Sequence, residues 1–175
     1  VIILERGNET GAKVYGITLE GKLAWRNKWQ LQTGMTMQRA QYKESRSWDN
    51  GGVDKEKRMF RTPDTYGYFT MTYSPVKAFN IALSGTYTGS MLIEHHSGYI
   101  AANRTEKTNQ FLDMTLKASY DFALYKNTTL QLNVGLNNIF NDYQSDFDKG
   151  ADRDSGYIYG PGIPRSFFAG IKISY

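Results

Sequence analysis

The sequence predicts an all-β protein: an antiparallel transmembrane β-barrel, to which this chain contributes about seven strands. Three observations predict it. Seven segments alternate apolar with polar or small residues, and a period of two is the signature of a strand. Their connections alternate between short and long, as in outer-membrane barrels with tight turns on one side and long loops on the other. The chain also carries 13 Tyr, 9 Phe and 3 Trp among its 175 residues. Such rings are favoured where one end of a side chain is greasy and the other wet.

The first segment, Lys13 to Trp25, places Tyr15, Ile17, Leu19 and Leu23 on one face and Thr18, Glu20 and Lys22 on the other. Arg26-Asn27-Lys28 turns the chain. The second, Trp29 to Ala40, sets Leu31, Met35 and Met37 against Gln30, Gln32, Thr36 and Gln38. Residues 42–64, with "SWDNGGVDKEKR", read as a polar loop. Thr65 to Tyr73 is the third segment, with Phe69, Met71 and Tyr73 on its apolar face, and "SPVKA" follows as a turn signal. The fourth runs from Phe79 to about Ile93, and "EHHSGYIAANRTEKTN" is read as the loop after it.

The fifth segment, Phe111 to Phe122, opposes Leu112, Met114 and Leu116 to Asp113, Thr115 and Lys117. After "ALYKNT", Thr129 to Phe140 sets Leu130, Leu132, Val134 and Leu136 against Gln131, Asn133 and Asn137. A loop to Pro164 precedes the last segment. There Phe167, Ala169, Ile171, Ile173 and Tyr175 share one face.

The polar faces carry Gln, Asn, Thr, Ser and Gly rather than rows of lysine, which suits the wall of a wide, wet interior. Bacterial single-chain barrels have an even strand number. Seven strands therefore point to the C-terminal part (residues 1–175) of a larger barrel. "VIILE" is too short to be an eighth strand, and "VIILERGNETG" lacks the pattern of a signal peptide, so a preceding part is expected elsewhere. Trp25, Trp29, Tyr73 and Phe79 lie beside short turns and read as an aromatic girdle; Tyr42, Tyr66, Tyr68 and Tyr143 read as the girdle of the other side.

No run approaches about 18 apolar residues, so a transmembrane helix is excluded while membrane strands are not. The net charge of +4 is spread along the chain, which gives no nucleic-acid footprint. Absence of Cys removes disulfide scaffolds and thiolate metal sites. No nucleophile elbow, Walker loop or HExxH is present, and no enzymatic activity is expected.

Two stretches carry a family resemblance. "GLNNIFNDYQ" (Gly135 to Gln144) and "YIYGPGIPRSFFAGIKISY" (Tyr157 to Tyr175) resemble the end of TonB-dependent outer-membrane receptors. "AKVYGITLEGKLAW" resembles a recurrent inward strand of that family. Ile139 stands where Leu is commoner, and the extra Pro164 in "PGIPR" resembles Bacteroides-type members. The resemblance implies a 22-stranded barrel, a plug domain not in this sequence, location in the cell outer membrane, and uptake of a scarce nutrient powered by the TonB complex acting through that plug. It also implies that the last strand, with Phe167, Ile171, Ile173 and Tyr175, is read by the barrel-assembly machinery; anchoring of Tyr175 at the membrane interface is the plainer reading.

Candidate site residues fall in the loops. Asp146, Asp148, Asp152 and Asp154 in "DFDKGADRD" have the hard oxygen chemistry of a Ca²⁺ site, without EF-hand spacing; a solvated loop paired internally through Lys149 and Arg153 is the alternative. His95 and His96 are adjacent, so on a strand they point to opposite faces, and a rim position competes with iron or haem ligation. Trp48, Tyr157 and Tyr159 are further ligand candidates, and the loop around Trp48 a contact for a surface lipoprotein. The function expected is active import of siderophore-bound iron, haem or cobalamin. Glycan import, a passive porin or small structural barrel, and a soluble ligand-binding barrel such as a lipocalin are the rivals.

Overall fold

The computed structural model describes residues 11–47 and 55–175. It is all-β, with strands β1 (Ala12–Trp25), β2 (Trp29–Ser47), β3 (Lys55–Arg58), β4 (Thr65–Val76), β5 (Phe79–Thr88), β6 (Leu92–His95), β7 (Arg104–Lys107), β8 (Phe111–Ala123), β9 (Thr129–Asn137) and β10 (Ser166–Ser174). The seven long strands form one antiparallel sheet in the order β1-β2-β4-β5-β8-β9-β10, with β3 added to β2. β6 and β7 make a separate hairpin. Among the described residues β1 and β10 do not pair, so the sheet is open at both edges.

The register explains the alternation. Leu23, Leu31, Met71, Leu83, Leu116, Leu136 and Phe167 lie opposite one another in turn and cross all seven strands as one apolar row. On the other face Lys22, Gln32, Thr70, Ser84 and Thr115 form a polar row, which Thr115 continues by hydrogen bonding to Asn137. Among the described residues no second layer covers the apolar row: Ile17, Leu19, Leu23, Val134 and Ile171 are all exposed.

Each short turn has a local cause. Arg26 and Asn27 are both left-handed, with φ of 52°, as the primed turns that match strand twist require. Pro75, which cannot donate to a ladder, sits at the register shift between Tyr73 and Val76. Left-handed Lys126 closes the β8–β9 turn, where the Leu124 N–H donates to the Thr128 carbonyl at 2.9 Å.

At these turns Trp29 stacks on Tyr73 (4.1 Å, 24°), opposite Trp25 and on the apolar face, where the girdle was expected. The other girdle is corrected. Tyr42, Tyr66 and Tyr68 lie on the polar face, because each has the parity of Thr36 and Gly34. The Tyr68 hydroxyl donates to Glu20 (3.3 Å), and its ring lies over Gly34, where a Cβ would come within 2.6 Å of it. Phe168, also on the polar face, covers Gly135 in the same way. A ring over a strand glycine fills the space the missing side chain leaves.

Three loop readings also change. The second strand continues to Ser47 and pairs with β3 inside the stretch read as loop. The fourth stops at Thr88, and Ile93, placed by its pattern at the end of that strand, is fully buried in β6. The sixth stops at Asn137, since Asn138 turns left-handed.

Candidate functional site

The long connections fold together at the end of the sheet opposite the short turns. Among the described residues, Met91, Ile93 and Tyr157, with Tyr159 against them, form a buried apolar cluster in the long connections rather than on the apolar face of the sheet. Arg61 ties three loops: its N–H donates to the Leu92 carbonyl (2.8 Å), and its guanidinium donates to the carbonyls of Ile158 (2.9 Å) and Gly156.

At the centre stands His95, 4% exposed and last in β6. Its Nδ1 meets Glu106 Oε1 at 2.8 Å, and its Nε2 meets both oxygens of Asp148 at 3.0 Å. Its ring stacks on Tyr157 at 3.6 Å. A neutral imidazole has only one N–H. With a carboxylate at each nitrogen, both can donate only in the imidazolium form, which this arrangement favours. Burial works against that charge, but the hydrogen bonds and attraction of Glu106 and Asp148 outweigh it and hold the pKa above the ordinary histidine value. Burial likewise opposes the charge on Glu106, and its bonds from His95 and Arg104 prevail and hold its pKa below the usual range.

The aspartates are held by separate partners. Asp146 accepts from the hydroxyls of Tyr157 (2.8 Å) and Tyr159 (2.6 Å). Burial would raise its pKa, yet these bonds keep it low, while burial and the same carboxylate push both phenols upward. Asp148 accepts from His95 and from the Asp154 N–H (2.9 Å). Asp154 accepts from the N–H groups of His96 (2.9 Å) and Gly156 (2.8 Å). Against the cost of burial, those two bonds lower its pKa. Asp152 is exposed. Among the described residues no group of three or more His, Cys, Asp or Glu side chains is arranged to hold a metal ion.

The structure thus joins His95, Tyr157, Tyr159, Asp146, Asp148 and Asp154 into one network. It leaves the His96 ring outside, exposed and 3.8 Å from Glu94, with only the His96 backbone N–H bonded to Asp154. Trp48 lies outside the described residues. Phe167, Ile171, Ile173 and Tyr175 are exposed on the edge strand and just beyond it.

Four residues were missed. Glu106 and Arg61 look like ordinary loop charges in the sequence. Asn138 and Gln144, each 1% exposed, sit inside the quoted "GLNNIFNDYQ". Asn138 bridges the carbonyls of Asp142 (3.2 Å) and Ile163 (3.0 Å); Gln144 bonds the Tyr157 carbonyl (3.0 Å) and the Tyr159 N–H (2.9 Å). A motif dense in Asn, Asp and Gln was the available signal, since such side chains substitute for backbone partners in irregular segments.

The cap leans over one side of the sheet. Phe111, on the polar face of β8, is buried beneath Tyr159 (5.8 Å between rings) and Gly160. Between cap and sheet lies a cleft of about 310 Å³, walled by Thr86, Thr88 and Asp113 below and Tyr159 and Pro161 above. Hydroxyls, a carboxylate and a ring edge can hold a polar ligand there by hydrogen bonds. No family model and no curated protein matches the chain.

Proposed function

We propose that this sheet is part of the wall of a 22-stranded outer-membrane barrel, and that the protein is a TonB-dependent receptor importing a scarce nutrient. Siderophore-bound iron, haem or cobalamin is the cargo class. The observation that carries the reading is the side the cap covers. Loops close over the polar face, while the apolar row from Leu23 to Phe167 is left open. The polar face is then the interior, and the apolar face meets hydrocarbon. Each Leu- or Ile-sized side chain withdrawn from water gains about 1.5–3 kcal/mol, so a bilayer is the natural surrounding for such a row. A lipocalin-like barrel would put the same row inside.

The open edges of β1 and β10 support the larger barrel, because strand edges in hydrocarbon must find partners. Plug and TonB complex supply the energy, the barrel-assembly machinery inserts the wall, and the loops select the cargo, with a surface lipoprotein as a further contact. Uptake of labelled haem, ferric siderophore and cobalamin by cells expressing the whole protein tests this. Uptake of one of them should stop when the proton-motive force is collapsed. Uptake insensitive to that collapse would make the protein a passive pore, and recovery in the aqueous fraction without detergent would remove it from the membrane.

A further inference from the structure

The short-turn end carries a charge pattern that the transport reading does not use. Arg26 and Lys28 lie in the first turn, Lys77 in the second and Lys126 in the third, and all four are exposed. Residues 26–28, 77–78 and 124–128 contain no Asp or Glu. Among the described residues none of the four cations has a carboxylate partner. Arg26 instead lies over the Trp25 ring at 4.7 Å and Lys126 over Tyr125 at 5.4 Å. Asp121, the acid nearest in sequence to the third turn, accepts from Gln131 on the polar face (2.7 Å). At the long-loop end ion pairs do occur, Glu106 with Arg104 and Asp64 with Arg58.

Depth gives the pattern meaning. Trp25, Trp29 and Tyr73 mark the apolar-to-polar boundary on the outer face. The four cations stand in the turns just beyond these rings, which is headgroup depth. Their charge is uncompensated within the protein, and rings beneath two of them favour the cation without neutralising it.

We infer that this rim is a cationic collar that gathers anionic phospholipid headgroups around the short-turn end of the wall. The inference rests on the membrane reading above. A cation held near an anionic leaflet gains about fivefold in affinity, and salt screens the effect.

The test uses the whole protein in phosphatidylcholine vesicles containing about 20% of a brominated lipid, either phosphatidylglycerol or phosphatidylcholine, a fraction chosen to leave room for enrichment by surface charge. The fluorescence lost in Trp25→Phe/Trp29→Phe isolates the two rim rings. Brominated phosphatidylglycerol should quench these rings about threefold more than brominated phosphatidylcholine. The excess should vanish in the R26Q/K28Q/K77Q/K126Q variant and at about 1 M salt, where screening reaches within a few ångströms. Equal quenching by the two lipids in the wild type would overturn the collar and leave the membrane reading standing. Quenching by neither would overturn the membrane reading itself. Loss of the excess on adding millimolar inorganic phosphate at constant ionic strength would reassign the rim to free phosphate and overturn the lipid proposal.

Discussion

A carboxylate on each ring nitrogen leaves His95 one satisfactory state, the imidazolium. Asp148, its side chain 2% exposed, depends on that charge in return. His95→Leu should therefore loosen the cap by about 3–5 kcal/mol, because it strands a buried carboxylate, whereas exposed His96→Leu should change little. Hydrogen exchange of the amides of 91–95 and 144–157 measures both. The same amides give the pH dependence. A raised histidine pKa means the His95 contribution is complete below the ordinary value of 6.5 and is lost as pH rises through the raised one. Lowered carboxylate values mean the Glu106, Asp146 and Asp154 contributions are complete above about 4.5 and are lost as pH falls through them. Protection should be greatest between about pH 4.5 and 6.5 and decline on both sides; a flat profile would mean that the cap is held by apolar contacts alone.

Strand pairs show how glycine and aromatic positions are coupled. At Gly135 a Cβ would lie 2.2 Å from the tip of the Phe168 ring and 2.7 Å from the Leu116 carbonyl, so neither ring nor backbone has room. Gly170, on the same face of the next strand, has nothing within 4 Å. Gly135→Ala should cost about 1–3 kcal/mol in equilibrium unfolding by urea, as overpacking does, and Gly170→Ala close to nothing. Most of each strand was legible in the sequence, since alternation at Leu130, Leu132 and Val134 follows from backbone geometry alone. The ends were less so. Asn138 falls on the apolar parity of Leu132, Val134 and Leu136 but is polar, and it leaves the strand with its side chain committed to Asp142 and Ile163. β3, β6 and β7 are too short and too polar to carry a period.

Over the molecule as a whole, the proposed wall has two unlike faces, and charge placed on them reports which meets lipid. Leu132→Arg or Ile171→Arg should lower the folding free energy in bilayers by about 2–4 kcal/mol. Asn133→Arg, one residue away on the polar face, should cost much less. Equal penalties in a vesicle folding assay would contradict the assigned sidedness. The same logic places the two girdles. Trp25, Trp29 and Tyr73 have apolar-face parity, and Trp29 stacks on Tyr73 there, whereas Tyr66 and Tyr68 have the opposite parity, and the Tyr68 hydroxyl meets Glu20 and Gln32. A girdle inferred from nearness to a loop, without counting parity, was bound to misplace them.

The sequence by itself determined the all-β class, the seven long strands and the faces of their apolar residues, because successive side chains on an extended backbone alternate sides whatever else the chain does. It also put His95, the aspartates and the two tyrosines forward as loop chemistry worth attention. Only the tertiary structure decided that these residues meet, since His95 and Asp148 stand 53 positions apart and come together through loops that carry no period. It also decided which face the cap covers: that depends on how loops with few backbone partners of their own find satisfaction in Arg61, Asn138 and Gln144, and no local pattern records those long-range bonds.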